Sequence, residues 1–456
     1  MANSYLDRTP SSAGNSKTFT MSCWIKRSKL GYNYNMFYTA GLHQSTLMSQ
    51  LYFTDEDKLY FGAWLANGNS DHYIHTNRVF RDVNCWYHLC VAVDTTQATA
   101  SDRVKIYVNG VQETSLNTTN NYPAQNFDYA FNSTLVHNIG RRGDLASSYH
   151  EGYLSHVIMV DGTALAPTAF GETDATTGEW KIKTAPSVTW GTNGFHILKD
   201  SHSGTDQSTN SNNFTANGNL TKSEDCPSNV FCTLNPNHHI GVAPRISTLS
   251  NGNTKCADAN STWQGVVGTL GASSGKYYWE YQLVGGAYHM VGIVPDNGNF
   301  SQSGIYTIDY TGMGYSGYVD NGTIRARFNN ADISGWNNAG MGNTTFSAND
   351  YINLAVDMDN KFMYIGKNGT WFKSGDPTSG ASGTGGINIS ATFTSGVFMI
   401  PAISAYSGTT GQFNFGNGYM GTSAVSSAGT NASGIGIFEY DVPSGYTALS
   451  TKGLNE

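Results

Sequence analysis

The sequence predicts an all-β protein of two antiparallel β-sandwich domains joined by a polar bridge. Short apolar and aromatic segments alternate with turn-forming residues along the chain, and among its Asn-Gly dipeptides Asn109-Gly110 and Asn368-Gly369 stand between such segments. This dipeptide favours the two positive-φ positions of a type I′ hairpin turn. The composition, with 52 glycines, 27 tyrosines and 13% charged residues, favours strands and turns over helices.

The length of the chain indicates more than one hydrophobic core. Its 456 residues exceed the size at which a single core stops growing, so we expect two large domains plus connections. The segment Trp86–Asp94, WYHLCVAVD, has apolar or aromatic residues in nearly every position. That pattern is typical of an inner strand packed on both faces.

The strand candidates of the first 200 residues follow each other at short intervals. FTMSCWIKR, starting at Phe19, alternates apolar and mixed positions, and SQLYFT, KLYFGAW, LVHNIG and GYLSHVIMV follow it, each separated by turn-forming residues. Short strands at this spacing predict an antiparallel sandwich of the jelly-roll type.

Residues 1–200 resemble the laminin-G-like or concanavalin-A-like lectin/glucanase jelly roll. The resemblance rests on the order of MSCWIKR, WYHLCVAVD, KIYVNGV, IGRRG and GYLSHVIMVDGTALAP. It implies a carbohydrate- or protein-binding domain, or a glucanase with carboxylates spaced Glu-x-Asp-x-x-Glu. Glu172 and Asp174 approach that spacing, but Thr177 stands where the second Glu is needed, so hydrolysis by this route is not expected.

The next stretch, residues 201–262, predicts a polar connector. Asn, Ser, Gly and Thr dominate it and its hydrophobicity is low, which is typical of a segment lying on a surface. The segment VFCTLNP within it could add a short strand to either neighbouring domain.

Residues 263–418 resemble a SPRY (B30.2-like) domain. The resemblance rests, in chain order, on Gly-Lys leading into Tyr-Trp-Glu at 275–280, Leu-Ala-Val-Asp at 354–357, the second Asn-Gly hairpin, Pro-Ala at 401–402 and Phe-Asn-Phe-Gly at 413–416. Two departures are NDYINL in place of a Gly-Asp-Val-Ile-Gly-like run and the long GDPTSGASGTGG loop. The resemblance implies the sandwich fold and a binding role, without contact residues.

The last predicted region, residues 419–456, divides into two parts. MGTSAVSSAGTNASG predicts a flexible segment. IGIFEYDVPSGYTALSTKGLNE regains aromatic and apolar character, so we expect it to pack back onto a domain.

Charge and hydropathy exclude several functions. The formal charge of −8 is spread thinly without a run of Lys or Arg, so no nucleic-acid partner is predicted. No apolar run approaches the roughly 20 residues that span a bilayer, so no membrane insertion is predicted. MANSYLDRTPSSAGN lacks the basic start and apolar core of a signal peptide, so we expect synthesis in a host cytoplasm.

The sequence predicts no cofactor, no metal site and no catalytic constellation. The six cysteines lack a Cys-x-x-Cys pair and are expected to be reduced, mostly buried thiols, although Cys226 and Cys232 could close a small loop. His72-x-x-His75 and His238-His239 are interpreted as polar loop histidines. Carboxylates for a loop Ca²⁺ are present without supporting spacing, at Asp94, Asp128 and Asp144.

Two loops carry the predicted ligand-binding residues. Sugars stack their C–H faces on aromatic rings, while Asn, Asp and Arg bind the hydroxyls. The first loop, GRRGDLASSYHEG, offers Arg141, Arg142, Asp144 and Tyr149, and the second, ADISGWNNAGMGN, offers Trp336, Asn337 and Asn338. Equally, these aromatics could close the ends of the sandwich cores. The Arg-Gly-Asp triplet at 142–144 is interpreted as a chance match.

The combination of the two domains and the YDVPSGYTALSTKGLNE ending resembles virion proteins of marine tailed bacteriophages. This implies a structural virion protein, at a tail fibre or a capsid-surface knob, which contacts other virion proteins and binds host-surface glycan through sandwich loops. Exposed strand edges make a homotrimer one option, although no heptad stalk is present.

Two alternatives stay open at this stage. The protein could be a purely architectural capsid decoration protein without host binding. It could also be a polysaccharide-cleaving enzyme with an unrecognised carboxylate pair, which the missing Glu-x-Asp-x-x-Glu spacing disfavours, so we expect no enzymatic activity.

Overall fold

Both of these Asn-Gly dipeptides form the hairpin turns that the sequence predicts. Asn109 and Gly110 have φ of 48° and 80°, and Asn368 and Gly369 have φ of 47° and 81°. Two consecutive positive-φ residues are the requirement of the type I′ turn. Val108 pairs with Val111 across the first turn.

The computed structural model describes residues 4–120, 122–143, 148–199, 202–241, 248–259, 261–300, 307–310 and 313–455, with the side chains of 118–120 left aside. The chain divides into two units. Unit 1 comprises residues 1–222 and 226–228, and unit 2 comprises 223–225 and 229–456.

The described residues of unit 1 form strands in this order: β1 (Tyr5–Arg8), β2 (Thr18–Arg27), β3 (Asn35–Ala40), β4 (Met48–Phe53), β5 (Lys58–Trp64), β6 (Ser70–Val79), β7 (Tyr87–Asp94), β8 (Val104–Val108), β9 (Val111–Gln112), β10 (Leu116–Asn120), β11 (His137–Ile139), β12 (Gly152–Asp161), β13 (Gly171–Thr173), β14 (Trp180–Ile182), β15 (Phe195–Ile197) and β16 (Thr215–Asn217). Sheet A has the order β10-β6-β5-β4-β3-β11-β1-β16, sheet B has the order β15-β12-β2-β7-β8-β9, and β13 pairs with β14.

The core of unit 1 lies between sheets A and B, as in an antiparallel sandwich. β7 lies inside sheet B between β2 and β8, which confirms the predicted inner strand. Alternate residues of both sheets supply the buried core, for example Leu51 and Phe61 from sheet A and Leu89 and Val91 from sheet B.

The described residues of unit 2 form strands in this order: β17 (Leu234–Ile240), β18 (Thr248–Ser250), β19 (Lys255–Ala257), β20 (Gln264–Gly268), β21 (Lys276–Gly285), β22 (Tyr288–Pro295), β23 (Tyr315–Asp320), β24 (Thr323–Phe328), β25 (Ala331–Asp332), β26 (Tyr351–Asp357), β27 (Phe362–Lys367), β28 (Thr370–Trp371), β29 (Ile387–Asn388), β30 (Met399–Tyr406), β31 (Thr410–Asn414), β32 (Tyr419–Met420), β33 (Ser423–Ala424) and β34 (Thr447–Ala448). Sheet C has the order β17-β20-β30-β22-β23-β24-β25. Sheet D has the order β18-β19-β31-β21-β26-β27-β28, with β29 on β27 and β34 on β21, and β32 pairs with β33.

Unit 2 is a second antiparallel sandwich, and its core follows from the alternation along its strands. In β21, Trp279 and Tyr281 face the core, while Tyr278, Glu280 and Gln282 lie on the opposite, outer face of sheet D. Short 3₁₀ helices connect strands in both units, at Ala100–Asp102, Pro167–Ala169, Ala339–Met341, Phe372–Ser374, Pro377–Ser382 and Gly453–Asn455. None of the helices formed by the described residues has the length and apolar character needed to cross a membrane.

The stretch predicted as a polar connector, 201–262, differs from that prediction because it adds strands to both units. β16 pairs with β1, and Phe214 is buried in the core of unit 1. β17 pairs with β20 at the edge of sheet C. The polar residues hold backbone groups, as Asp206 does by accepting hydrogen bonds from the amides of His196 and Asn212, so low hydrophobicity here reflects loop hydrogen bonding.

The last region, 419–456, is ordered along its described length. The part predicted as flexible forms the β32–β33 hairpin, and the amide of Gly429 donates to the carbonyl of Phe438. The final part covers the outer face of sheet D, as expected of a segment that packs back. Phe438 and Tyr446 are buried there in a cluster with Tyr278 and Tyr364.

Candidate ligand-binding face

The outer face of sheet A carries a row of tyrosines that come from four different strands or turns. Strand register places Met36 opposite Tyr52, Tyr52 opposite Tyr60, and Tyr60 opposite His75. These residues point outward because their neighbours in the strands, such as Leu51 and Phe61, fill the core. We call the surface formed by Tyr34, Tyr52, Tyr60 and Tyr73 the tyrosine face.

The rings of the tyrosine face contact each other in sequence. The ring centres of Tyr34 and Tyr52 are 5.3 Å apart, those of Tyr52 and Tyr60 4.4 Å, and those of Tyr60 and Tyr73 5.3 Å. Tyr52 and Tyr60 are buried, while Tyr34 and Tyr73 are half-buried at the two ends. The tyrosine face therefore exposes ring surface at its two ends, while the rings at its centre are buried.

Trp64 and His43 extend this aromatic surface. The indole Nε1 of Trp64 donates a hydrogen bond of 3.0 Å to the hydroxyl of Tyr60. The His43 and Trp64 rings meet edge to face, with centres 4.8 Å apart. Burial raises the pKa of Tyr60 to about 12, so this hydroxyl stays neutral at physiological pH.

The structure brings two of the predicted binding residues, Arg141 and Tyr149, into one patch with Tyr5. Arg141 and Tyr149 pair through a β-bridge. The Arg141 guanidinium lies 3.6 Å from the centre of the Tyr5 ring, and the Tyr5 and Tyr149 rings are 6.3 Å apart. A guanidinium stacked on an aromatic ring next to a second ring is a surface on which a polar, flat ligand can be held.

Arg142 points to the tyrosine face. Its side chain is buried, and its guanidinium carbon lies 5.7 Å from the centre of the Tyr34 ring. Its amide donates to the carbonyl of Ser148, which fixes the two ends of this loop together. Asp144, the fourth residue predicted in this loop, lies outside the described residues, so the Arg-Gly-Asp triplet is described only at Arg142 and Gly143.

Two buried amide side chains lie beside these arginines and tyrosines. Asn138 accepts a hydrogen bond from Nε of Arg141 with its Oδ1, while its Nδ2 has no hydrogen-bond partner in the described structure. Gln50 lies on β4 with Tyr52, opposite Gly62 of β5, and neither atom of its amide has a hydrogen bond of good geometry among the described residues. Unpaired buried amides are costly, so these positions are suited to a hydroxyl-bearing partner or to water.

The second predicted group, in unit 2, does not form a ligand surface. The Trp336 ring is 7% exposed and belongs to the core of unit 2, which corrects its prediction as a loop aromatic that stacks on a ligand. The loop turns inward because the amide of Ala326 bonds the Trp336 carbonyl and the Trp336 amide bonds the Ile333 carbonyl.

The two asparagines that follow Trp336 serve the local turn. Asn337 is exposed, and its Oδ1 accepts a hydrogen bond from the amide of Gly340. Asn338 is half-buried at the start of the 3₁₀ helix, and its Oδ1 has no partner among the described residues. Sequence reasoning thus located three binding candidates here, and the structure places the aromatic one in the core.

The two described carboxylates that were considered for a loop Ca²⁺, Asp94 and Asp128, are each bound by protein groups, and Asp144 lies outside the described residues. The carboxylate of Asp94 is hydrogen-bonded by Thr96 and Gln97, and that of Asp128 is bonded by Ser16 and lies 3.6 Å from Nζ of Lys17. Among the described residues, no group of three or more His, Cys, Asp or Glu side chains is placed to hold a metal ion.

The paired histidines of the sequence are separated, because they lie on a strand and not in a loop. His72 faces inward, where its Nε2 lies 2.7 Å from the Tyr129 hydroxyl, while His75 lies on the outer face next to Tyr73. An i, i+3 spacing in a strand puts side chains on opposite faces.

A close Ser–His pair in sheet B is structural. Oγ of Ser22 lies 2.9 Å from Nε2 of His88, and the indole Nε1 of Trp180 donates to Nδ1 of His88 over 3.0 Å. The indole proton makes Nδ1 the acceptor, so Nε2 carries the imidazole proton and cannot remove a proton from Ser22. Burial lowers the pKa of His88 to about 3, which keeps the ring neutral.

Glu172 and Asp174, the residues nearest to the glucanase carboxylate spacing, form ion pairs with lysines. Glu172 and Asp174 both lie 3.3 Å from Nζ of Lys181 across the β13–β14 pair. All six cysteines are free thiols, including Cys226 and Cys232. Burial raises the pKa of Cys23 to about 12 and that of Cys85 to about 11, so these two thiols are not reactive nucleophiles at neutral pH.

Unit 1 also has an open cleft of about 630 Å³, lined by residues 13–17 and 191–192 with Asp128, Asp161 and Gly162. Asp161 is buried and accepts the amides of Asn15 and Asn193. Its lining is polar backbone and short side chains, so the tyrosine face is the better surface for stacking.

The tyrosine face was not predicted from the sequence, although its strands were. SQLYFT and KLYFGAW show alternation with tyrosines at the positions that leave the core, which is the signal that could have pointed to it. The neighbour relation of Tyr52, Tyr60 and Tyr73 depends on strand register, which one sequence does not display.

Comparison with protein families matches residues 2–169 to the concanavalin A-like lectin/glucanases superfamily. Comparison with curated proteins gives no significant match. The match lies within unit 1, whose two antiparallel sheets agree with a β-sandwich of the jelly-roll type.

Similar solved structures include SPRY domains and a pentraxin. The SPRY domain of human HERC1 is 14% identical with a TM-score of 0.27, over 40% of this chain and 96% of that chain. The TRIM65 PSpry domain is 14% identical with a TM-score of 0.30, over 40% and 88%. The heptameric SAP-like pentraxin from Limulus polyphemus is 17% identical with a TM-score of 0.26, over 36% and 72%. These similarities extend to the fold alone.

Proposed function

We propose that this chain is a structural protein at the surface of a phage virion, at a tail fibre or a capsid knob, and that unit 1 binds a host-surface glycan. The tyrosine face and the adjoining Arg141–Tyr5–Tyr149 patch are the observation that carries the glycan part. The jelly-roll match, in a superfamily that includes lectins, supports the same part. The virion part rests on the order of the two resembling domains and the C-terminal ending.

The chemistry of the face suits weak sugar binding. Half-buried rings at Tyr34, Tyr73 and Tyr149 offer flat surfaces for the C–H side of a sugar, and Arg141 offers N–H donors for its hydroxyls. A shallow surface of this kind gives low affinity per site, and many copies on one particle would supply avidity. A homotrimer is one way to multiply the sites, and the partners in the particle would be other virion proteins.

In this proposal the protein has no enzymatic activity. The carboxylates nearest to the glucanase spacing are bound to lysines, and the Ser22–His88 pair has its proton on the wrong nitrogen for nucleophile activation. Host attachment then follows from binding and copy number alone.

The burial of the central rings favours a second candidate function, an architectural decoration protein without host binding. Tyr52 is 5% exposed and Tyr60 6% exposed, so the middle of the tyrosine face could serve only to cover sheet A. Under this alternative, glycan binding by the isolated chain is absent.

A glycan array probed with the fluorescently labelled full-length chain tests the glycan part. We expect binding to at least one bacterial-surface glycan and an affinity loss of about tenfold in Tyr34→Ala and in Arg141→Ala. Tyr107→Ala, a half-buried tyrosine on β8 of sheet B, is the matched control and is expected to bind normally. An array without signal, or equal losses in all three variants, would leave the decoration protein as the better account.

Immunogold labelling of purified virions with antibody to this chain tests the virion part. Gold at the tail would support receptor recognition, and gold over the capsid shell would support decoration with host contact secondary. Particles without gold would overturn the virion assignment irrespective of the array result.

A further inference from the structure

Unit 2 has a cavity of about 260 Å³ between the outer face of sheet D and the β32–β33 hairpin. Strand register arranges part of its wall as one row across four neighbouring strands. Lys255 of β19 lies opposite Gln412 of β31, Gln412 opposite Gln282 of β21, and Gln282 opposite Tyr351 of β26. Glu439, from the C-terminal segment, lines the same cavity.

The neighbouring row on the same strands shows how sheet D treats polar side chains that need no ligand. Asn353, Glu280 and Asn414 lie opposite one another, two positions along each strand. The Asn353 side-chain amide donates to the Tyr278 hydroxyl, and that of Asn414 donates to Glu280. The backbone amides of Glu439 and Tyr440, which cover the row, also donate to Glu280. That row is complete without a partner.

The row at the cavity is incomplete in comparison. The side-chain Nε2 of Gln412 donates a hydrogen bond of 2.6 Å to Oε1 of Gln282. This contact uses one of the four N–H donors and one of the four oxygen lone pairs of the two amides, so the pair keeps both donors and acceptors for a ligand, whichever way the amides are turned. Gln282 is half-buried and Gln412 is 9% exposed, and both side chains line the cavity.

The two charged groups of the cavity are also available. Lys255 and Glu439 are half-buried, and neither forms an ion pair within 4.0 Å among the described residues. Tyr351 lines the same cavity as Glu439, and burial together with the Glu439 charge raises the pKa of Tyr351 to about 12. The lining thus combines a cation, an anion, an amide donor, an amide acceptor and a neutral phenol.

We infer that this cavity is a binding site for a neutral, polyhydroxylated ligand of the size of one sugar ring. Each hydroxyl both donates and accepts, so a polyol can satisfy alternating donors and acceptors, whereas an anion such as phosphate would meet Glu439. The volume lies below the range of roughly 300–1,000 Å³ that holds drug-sized molecules, which fits a single ring and not an oligosaccharide.

The β32–β33 hairpin closes the site over the row. Met420 of the hairpin is buried, and Gly421 at its turn has φ of 61° and lies against Gln412, where a side chain would collide with the amide oxygen. A bound sugar would contact both the sheet and the hairpin, so it should protect the hairpin from opening. This site is separate from the tyrosine face, and its existence does not depend on glycan binding by unit 1.

Ligand-observed NMR and calorimetry with the full-length chain test the site, using D-glucose, D-galactose, D-mannose and N-acetyl-D-glucosamine as probes. A ligand this small limits the expected Kd to about 1 mM. We expect binding of at least one sugar, weakened about tenfold in Gln282→Leu and in Lys255→Met. Gln112→Leu, an exposed glutamine of β9, is the matched control and is expected to leave binding unchanged.

Hydrogen exchange at residues 419–425 provides a second readout that does not depend on a variant. The bound sugar should slow exchange there, and Tyr34→Ala on the tyrosine face should not alter this effect. Failure of every sugar to bind at millimolar concentration, binding of glycine or inorganic phosphate in their place, or equal losses in Gln112→Leu would each overturn the assignment. A glycan array without signal, or unchanged binding in Tyr34→Ala and Arg141→Ala, would overturn only the function proposed for unit 1.

Discussion

Asp57 in unit 1 and Glu280 in unit 2 are both buried carboxylates that hold a covering segment to a sheet, but their surroundings differ. Asp57 lies in the turn between β4 and β5 and forms ion pairs with Arg27 at 3.0 Å and Arg81 at 2.9 Å. Glu280 has only neutral donors, namely the amides of Glu439 and Tyr440, the Tyr278 hydroxyl and the Asn414 amide.

The two pKa shifts are opposite, and the reason is charge compensation. Burial alone would raise the pKa of Asp57, but the Gly31 amide and the two guanidiniums outweigh it, so the pKa lies below its usual value. Burial raises the pKa of Glu280 to about 7, because its four hydrogen bonds offset only part of the cost of removing the charge from water. Similar burial therefore gives opposite pH responses in the two units.

Removal of the Asp57 carboxylate should give the largest effect. Arg27 is fully buried, so Asp57→Ala leaves a guanidinium without its charge partner, and we expect unit 1 to lose about 3–5 kcal/mol of stability. The loss of stability is measured by urea unfolding, with hydrogen exchange of residues 48–64, which contain β4 and β5, as the signal.

The neighbouring residue in the same turn is the control. Glu56 forms an exposed ion pair with Lys58 at 2.6 Å, and Glu56→Gln is expected to leave unfolding of unit 1 unchanged within error. Equal effects of the two substitutions would show that the turn, and not the buried charge pair, determines the stability.

The pH dependence of unit 2 should come next in size. A pKa raised in the folded state means that folded unit 2 binds the proton more tightly, so its stability is highest at low pH and falls as the pH rises from 4.5 to about 7. The difference between these pKa values corresponds to about 3 kcal/mol. Hydrogen exchange of residues 434–449, corrected for intrinsic rates, measures this loss.

The variant Glu280→Gln separates the carboxylate from other titrating groups. It cannot ionise, so the decline in stability between pH 4.5 and about 7 should disappear in the variant. Asp57 predicts the opposite trend in unit 1, because a lowered pKa gives stability that is lost as the pH falls below its ordinary 3.8. A decline that persists in Glu280→Gln would contradict the role of this carboxylate.

Local patterns in the sequence predicted the strands and turns of the fold. Alternation located β2 and the inner strand β7, and Asn-Gly located two hairpins, because both signals depend on residues next to each other in the chain. The polar region 201–262 was predicted as a connector because its composition hides a few scattered core residues, such as Phe214 in unit 1 and Leu234 in unit 2, among many hydrogen-bonding side chains. The average composition of a region does not reveal a few buried apolar residues within it.

The functional surfaces were less predictable because they depend on register between distant strands. Lys255 and Gln412 lie opposite each other although about 160 positions separate them in the chain, and in sequence each is an ordinary polar residue. Arg141 and Tyr149, predicted as ligand-binding residues, lie on one short loop and pair through a β-bridge, and their binding role stays a prediction. For Trp336 the polar loop left ligand stacking and closure of the core as equal alternatives, and in the structure its side chain is buried in the core, where two backbone hydrogen bonds hold the loop.

Removal of one donor to Glu280 should give the smallest effect and the most specific one. The Tyr278 hydroxyl accepts from the Asn353 amide over 2.8 Å, so its own proton points to Glu280 at 3.0 Å. Tyr278→Phe removes that donor, and we expect a loss of about 1.5 kcal/mol in unit 2. In the wild type the hydrogen bond from Tyr278 lowers the pKa of Glu280, so its removal should raise this pKa further and move the pH midpoint of the stability loss upward. Tyr364→Phe, in the same buried cluster but with only a 3.4 Å contact to Ser379, is the control that should leave the midpoint in place. An unchanged midpoint in Tyr278→Phe would mean that desolvation alone determines the Glu280 pKa, and the contrast with Asp57 would then rest on cations and not on hydrogen bonds.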